Sequence, residues 1–407
     1  MSAAATDLIV TEGNFDGTRH HGRGPYTIAL GDGRVQAVWP GVVAGGDGVA
    51  MHRAGYAMPG LVEAHAHLFL DGGELDLGRR SAYLSAPREQ MLATGRNSLR
   101  QAMAAGVTLV RDAGDIHGIN VHLRREVQAG SGPWPQVRCP GVALRKAGRY
   151  GSFIAREVSD QISIETLMTA IAPTADEFKI LLTGIIDFEA GAVKGAPQFN
   201  AEEAARIARC ARLLGRRTFV HCSGAEGIEI ALDAGFDSIE HGFFVSRAQL
   251  QRMAEQGVAW VPTFSPVHFQ WAQPQIMGWG AQAVGHLRRI LDQHAQRLNE
   301  AYALGVPVMV GSDAGSHGVP HGQGLIDEIE HMAQAGIGTE KLLASATTRP
   351  RAAWGIEPVN IVPGAKAELV LLQASPVDDL RALRKVSAVF HGGWHHADLQ
   401  PDAVAAC

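Results

Sequence analysis

Residues 56–68 read Tyr-Ala-Met-Pro-Gly-Leu-Val-Glu-Ala-His-Ala-His-Leu. The run Leu61–His67 reads as a β-strand. Side chains on a strand alternate between its faces, so His65 and His67 point the same way. Two imidazoles spaced i and i+2 can grip one metal ion. Alone, such a pair is weak evidence, because most of them bind nothing.

The sequence beyond this strand repeats its pattern. Seven further apolar runs read as strands: Val107–Arg111, Val137–Leu144, Phe178–Thr183, Arg217–Cys222, Ser238–His241, Val258–Thr263 and Pro307–Gly311. Segments with helical periodicity lie between them. Asn200–Leu214 is the clearest, with Asn200 placed to cap, Glu203 three residues on and Gly215 as a stop. Ser246–Gln256, ended by Gly257, is a second. Eight strands alternating with helices predict an α/β fold, a parallel (β/α)8 barrel. Phe264–Gly280 reads as a long break before the next helix, either an active-site loop or an irregular insertion. Short strands also mark both ends: Asp7–Val10, Tyr26–Leu30 and Arg34–Val38, then Ala367–Gln373 and Val386–Phe390. The predicted organisation is residues 59–355 as the barrel, with 1–58 and 356–407 pairing into one small, sandwich-like β domain.

The bulk numbers agree. A length of 407 residues suits a barrel of roughly 250 to 350 residues plus a small companion. Apolar residues make up 46%, enough for a large core. A net charge of −5 and the lack of a dense basic run exclude a nucleic-acid partner. No apolar stretch reaches the roughly 18 residues of a membrane span, and Met1–Val10 does not read as a secretory signal. Cys139, Cys210, Cys222 and Cys407 are scattered without CxxC spacing, which fits a reducing cytoplasm.

The chemistry is read from the joint placement of polar residues. His65 and His67 end the first strand, His221 the fifth and His241 the sixth, while Asp313 follows the eighth. Each alone has an ordinary structural explanation; five at C-terminal strand ends do not arise by chance. Lys179 lies in Glu177-Phe-Lys-Ile-Leu-Leu182, a strand that should be buried, and the chain has only six lysines. An ammonium beside two divalent ions would be repelled and badly desolvated. If Lys179 reacts with CO2 to form a carbamate, it becomes an anion whose two oxygens can bridge both ions. The expected cofactors are therefore two divalent ions, Zn²⁺ before others because imidazole suits it.

Taken together these segments resemble the amidohydrolase superfamily, and within it the imidazolonepropionase-like and prolidase-like (Xaa-Pro dipeptidase-like) branch. The resemblance is carried by YAMPGLVEAHAHL (56–68), AGVTLVRDAG (105–114), EFKILLTG (177–184), the run from Pro197 to Gly242, GSDAG (311–315) followed by VPHG (319–322), and PVNIVPGAKAELVLL (358–372). It implies a binuclear centre with His65, His67, Lys179 and Asp313 on the more buried ion and Lys179, His221 and His241 on the other. It also implies a metal-bridging hydroxide that attacks the carbonyl carbon of an amide-like group, whose C–N bond then breaks, with Asp313 as the proton shuttle to the leaving amine. The partner is then a small-molecule substrate, and a homo-oligomer formed through the barrel helices is compatible with it.

Two stretches depart from the branch. Relatives commonly carry a Gly-Gly-His-Gly-like loop after the third strand, where this chain has Ala147-Gly-Arg149-Tyr150-Gly151. His221-Cys-Ser-Gly224 stands where His-Ala-His-Gly is common. Arg149 and Tyr150 thereby become candidates for holding a substrate carboxylate, and His321 for supporting a ligand or touching substrate. His117, His268, His317 and His331 read as packing or solvent-facing. Competing functions are hydrolysis of a urea, carbamate or lactone, deamination of a ring, and a non-catalytic scaffold. Lys179 and the glycine at 224 argue against a deaminase, and six filled ligand positions argue against a scaffold.

Overall fold

The computed structural model describes residues 6–130 and 134–397; Met1–Ala5 and Cys407 lie outside the described residues. Parallel strands form two sheets. Leu61–Ala66, Val107–Asp112 and Gln136–Arg138 make one, and Ala155–Val158, Ala143–Lys146, Glu177–Leu181, Arg217–Cys222, Ser238–His241 and Ala259–Val261 follow one another in the second. Helices connect most of them.

Residues 307–314 join the two sheets at their edges. Trp260 N donates to Pro307 O at 3.0 Å on one side, and Asp313 N donates to His65 O at 2.8 Å on the other. The expected eighth strand is therefore present as bridge pairings, Trp260 with Val308 and Ala66 with Ala314, and not as a regular strand. The close approach explains Gly311: a Cβ there would lie 2.6 Å from Val261 Cγ1 and 2.8 Å from His65 N. The expected third strand, Val137–Leu144, is split in two. Pro140 offers no N–H to a ladder, and Gly141 sits at φ +69°, which turns the chain.

Both helix-start readings hold. Asn200 and Ser246 cap Ala201–Leu213 and Arg247–Gln256, each with a reciprocal capping box through Glu203 and Gln249. Phe264–Gly280 is corrected in form: it is not a long irregular break but two helices, Phe264–Ala272 and Pro274–Met277, and Pro266, Val267, Gln270, Met277 and Trp279 line the cavity at the strand ends, as the active-site reading expects. Glu328 explains the first. Its buried carboxylate accepts from Phe264 N and Ser265 N, both at 2.8 Å, and supplies the N-terminal partners that the local sequence lacks.

The two ends of the chain share one eight-stranded sheet, ordered Trp394–Ala397, Val386–His391, Leu369–Leu372, Ala50–Pro59, Asp7–Phe15, Tyr26–Gly31, Arg34–Pro40, with His20–His21 also on Asp7–Phe15. Ile9, Ile28, Leu30, Val35, Leu369, Leu371 and Phe390 form its own apolar core. Ala50–Pro59 runs through Gly60 directly into Leu61–Ala66, so this sheet is continuous in chain with the strand that carries His65.

Candidate metal centre

The strand ends converge on a cavity of about 1060 Å³ whose lining includes His65, His67, Lys179, His221, His241 and Asp313. The rings of His65 and His67 stand 5.7 Å apart, those of His65 and His241 5.1 Å, and those of His221 and His241 4.5 Å. One nitrogen on each ring is engaged by the protein. His65 Nδ1 meets Glu240 Oε2 at 2.6 Å, and His241 Nδ1 meets Thr263 Oγ1 at 2.7 Å. His67 Nδ1 and His221 Nε2 make longer contacts of 3.4 Å with the carbonyls of Gly114 and Gly184.

These partners set the tautomers. Arg111 Nη2 donates to both oxygens of Glu240, at 2.9 Å each. A carboxylate accepts the Nδ1 proton of His65, so the Nε2 lone pair faces Asp313 Oδ1, 3.7 Å away. His67 Nε2 is 3.5 Å from the same oxygen. Burial, reinforced by the charge of Lys179, pushes His67 and His221 each down to about 3, and burial holds His65 and His241 well below the usual imidazole range. All four are neutral at pH 7, the form a metal requires.

Two buried atoms in the cavity have no hydrogen-bond partner: Lys179 Nζ and Asp313 Oδ1. Lys179 is 1% exposed, with Nζ over the Phe219 ring, 4.8 Å from its centre. Burial pushes its pKa down, against the pull of Glu240, and burial pushes Asp313 up, against the charge of Lys179. An ammonium with three donors and none used is costly here; a neutral amine costs less, and a carbamate would be compensated by bound divalent ions. Ligand atoms of His65, His67 and Asp313 lie within 4.8 Å of one another. The donor set therefore fits divalent metal.

His241, Thr263 and Asp313 all hold left-handed backbone, at φ 67°, 51° and 58°. This conformation costs a residue with a Cβ about 1–3 kcal/mol and survives where surrounding contacts enforce it. Each of the three aims a polar group at the centre or at one of its imidazoles.

The substrate-side expectations fare unevenly. Tyr150 lines the cavity, its ring 5.8 Å from that of His221. Arg149 does not: its guanidinium donates to the Ala196 carbonyl, outside the cavity lining. His321 also stays off the cavity wall; it is buried with Nε2 on Leu70 O at 3.0 Å, where it steadies the turn after His67. His317, expected to pack or face solvent, lines the cavity and contacts Leu75 O and Met277 Sδ. Sequence reasoning missed Glu240, Arg111, Thr263 and Glu63. Glu63 holds His65 N at 3.0 Å and Ser312 N at 2.9 Å, fixing the backbone on both sides of the site. Glu226, on the helix that follows Gly224, is exposed and absent from the lining.

A parallel α/β chain with histidines, a lysine and an aspartate gathered at its strand ends defines a class of metal-dependent hydrolase, and comparison with known proteins agrees. The Amidohydrolase family pattern matches residues 56–394. The chain belongs to the amidohydrolase family and is a hydrolase that acts on carbon–nitrogen bonds. It is 27% identical over 319 residues to an uncharacterized protein of Mycobacterium tuberculosis, covering 77% of each chain. It is 23% identical to ochratoxinase of Aspergillus niger over 372 residues, 84% of this chain and 75% of that one. A crystal structure of a Xaa-Pro dipeptidase with methionine bound in its active site superposes with a TM-score of 0.81 at 23% identity, over 96% of this chain and 99% of the other.

Proposed function

We propose that this chain is a binuclear metal-dependent hydrolase that cleaves the amide bond of a small molecule, built as a closed (β/α)8 barrel between residues 59 and 355. The carrying observation is the pair of unpartnered buried atoms, Lys179 Nζ and Asp313 Oδ1, among four neutral imidazoles. His65, His67 and Asp313 would hold one ion, His221 and His241 the other, with Lys179 as a carbamate between them. Zinc is the first candidate, since imidazole and carboxylate suit it. Such ions, when bound, polarise a carbonyl and bring the pKa of water from 15.7 to roughly 7.

The protein's own groups do the rest. Glu240 and Thr263 fix the tautomers of His65 and His241. Asp313 would take up a proton on its carboxylate and deliver it to the departing amine nitrogen. Phe153, Phe188, Phe243 and Trp279 line the cavity with apolar surface and keep bulk water from the reacting bond. A dipeptidase and an ochratoxinase among the relatives support an amide, and a phenylurea hydrolase that superposes with a TM-score of 0.76 makes a urea the second reading. Cys139, Cys210 and Cys222 are free and buried, which supports a cytoplasmic setting, and no described helix is long and apolar enough to cross a membrane.

The test couples elemental analysis to a turnover screen of zinc-loaded protein against N-acyl amino acids, dipeptides, aryl amides, ureas and lactones. We expect about two ions per chain and hydrolysis confined to amides. Full activity with a single ion would refute the binuclear reading, and turnover of lactones alone would refute the amide reading.

A further inference from the structure

The cations around the cavity differ in what holds them. Arg79 gives Nε and Nη2 to Glu74 at 2.7 and 2.8 Å, and its side chain is 71% exposed. Lys179 sits among the candidate metal ligands. Arg80, half-buried in the cavity wall, is held by backbone carbonyls alone. Its Nη1 donates to Asp71 O at 2.5 Å and Glu74 O at 3.3 Å, and its Nη2 to Gly315 O at 2.8 Å. Among the described residues no carboxylate forms an ion pair with it, although the charges of Asp71 and Glu74 act on it from further off. Carbonyl dipoles fix the plane of a guanidinium without neutralising it. Its Nε–H and second Nη2–H have no partner among the described residues. Gly315 belongs to the turn that carries Asp313, so this preorganised cation stands beside the carboxylate assigned to proton transfer.

The wall formed by Phe188, Phe243, Val267 and Trp279 is apolar. Trp279 packs edge-on against Phe188, ring centres 5.9 Å apart. From this polarity we propose that Arg80 reads a carboxylate on the substrate, and that the substrate is an amide with that carboxylate on one side and a bulky apolar group on the other. This rests on the amide-hydrolase reading above and assigns its specificity to one residue. A planar fork with two free N–H groups matches a carboxylate in a way that an ammonium does not.

The experiment uses zinc-loaded full-length enzyme and two substrates with the same scissile amide, N-benzoyl-L-phenylalanine and N-benzoyl-2-phenylethylamine, the second lacking the carboxylate. The readout is the ratio of their kcat/KM values, in which any general loosening of the loop cancels. Wild type should favour the acid, and Arg80→Gln should lower that preference by about thirtyfold, the loss expected for one partner of a desolvated charge pair. Arg79→Gln should keep the preference. If Arg80→Gln does not fold, Arg80→Lys carries the same test, because it retains charge but loses the two-point contact, and its preference should fall in part. An unchanged ratio in the Arg80 variant overturns the assignment. Turnover of uncharged amides with no acid hydrolysed overturns it too and leaves the hydrolase reading standing; no turnover of any C–N substrate overturns both.

Discussion

Asp313 Oδ1 has no donor within reach, faces two imidazole nitrogens, and is held by a left-handed backbone that only its neighbours enforce. Replacing it by asparagine keeps the shape and removes the proton acceptor. Asp313→Asn should lower kcat by about 10²–10⁴-fold, the range for loss of a general acid–base, with the circular dichroism unchanged. Retention of a tenth of wild-type kcat would exclude Asp313 from proton transfer. Lys179 makes a complementary case. Lys179→Ala should lose both metal and activity, and acetate or propionate should restore part of each by placing a carboxylate where the carbamate would stand. Metal retained in Lys179→Ala without any added acid would show that the lysine is no ligand. The six candidate ligands were legible in the sequence because each breaks the apolar character of the strand it lies in or follows. Arg111 broke the same rule in Val107–Asp112, yet its partner Glu240 lies 129 positions away. A buried charge is visible in one dimension; what neutralises it is not. Arg149 shows the converse. Its place after a strand was legible, but its direction toward the Ala196 carbonyl was set by a turn packing against another loop.

At the scale of elements, strand order and helix caps were readable because periodicity and capping act within a few residues. The helix Phe264–Ala272 was not, since the carboxylate that starts it belongs to Glu328, more than sixty residues on. A second long-range clamp holds the same corner. His294, on the helix Ala281–Leu304, stacks on Phe243 with ring centres 4.1 Å apart and lies 4.6 Å from Phe264. Its Nε2–H donates to the Pro262 carbonyl at 2.9 Å, one residue before Thr263, which orients His241. Burial pushes this imidazole down to about 4, against the Pro262 bond, from the usual 6.5. Below pH 6.5 the unfolded chain therefore binds a proton here that the folded chain refuses. The associated stability is present above 6.5, is lost as pH falls from 6.5 toward 4, and changes no further below that. His294→Gln can still donate to Pro262 but does not titrate. Between pH 7 and 4.5 its unfolding free energy should fall by about 2 kcal/mol less than that of wild type, measured by urea titration of metal-free protein. Parallel pH profiles for the two proteins would mean that His294 is protonated in the fold.

At the scale of the whole molecule, the terminal sheet and the parallel strands are joined by a buried ion pair. Arg351, on the helix Thr348–Trp354, donates Nη2 to Glu368 Oε2 at 2.5 Å; the two residues are 1% and 0% exposed. The same carboxylate accepts from Gln136 Nε2 at 2.9 Å, and the Glu368 backbone carbonyl takes Gly60 N at 2.9 Å. One residue thus ties a helix, a strand of the first parallel sheet and the link into Leu61–Ala66. Glu368 was readable only as part of a C-terminal β segment, since nothing local in Ala367-Glu368-Leu369 announces a buried partner. Two charges withdrawn from water are costly even when paired, so the pair itself contributes little net stability, while stranding one of them is expensive. Glu368→Gln should destabilise by about 3–5 kcal/mol, because Arg351 remains buried without its counter-charge. Arg351→Met combined with Glu368→Leu should recover most of that loss, since neither residue then needs hydration. The denaturant midpoints of the wild type, the two single variants and the double variant measure this directly. If the double variant is as unstable as the sum of its parts, the carboxylate acts through Gln136 and through Lys366, whose Nζ lies 2.5 Å from Glu368 Oε1, and the joint between sheet and strands does not rest on Arg351.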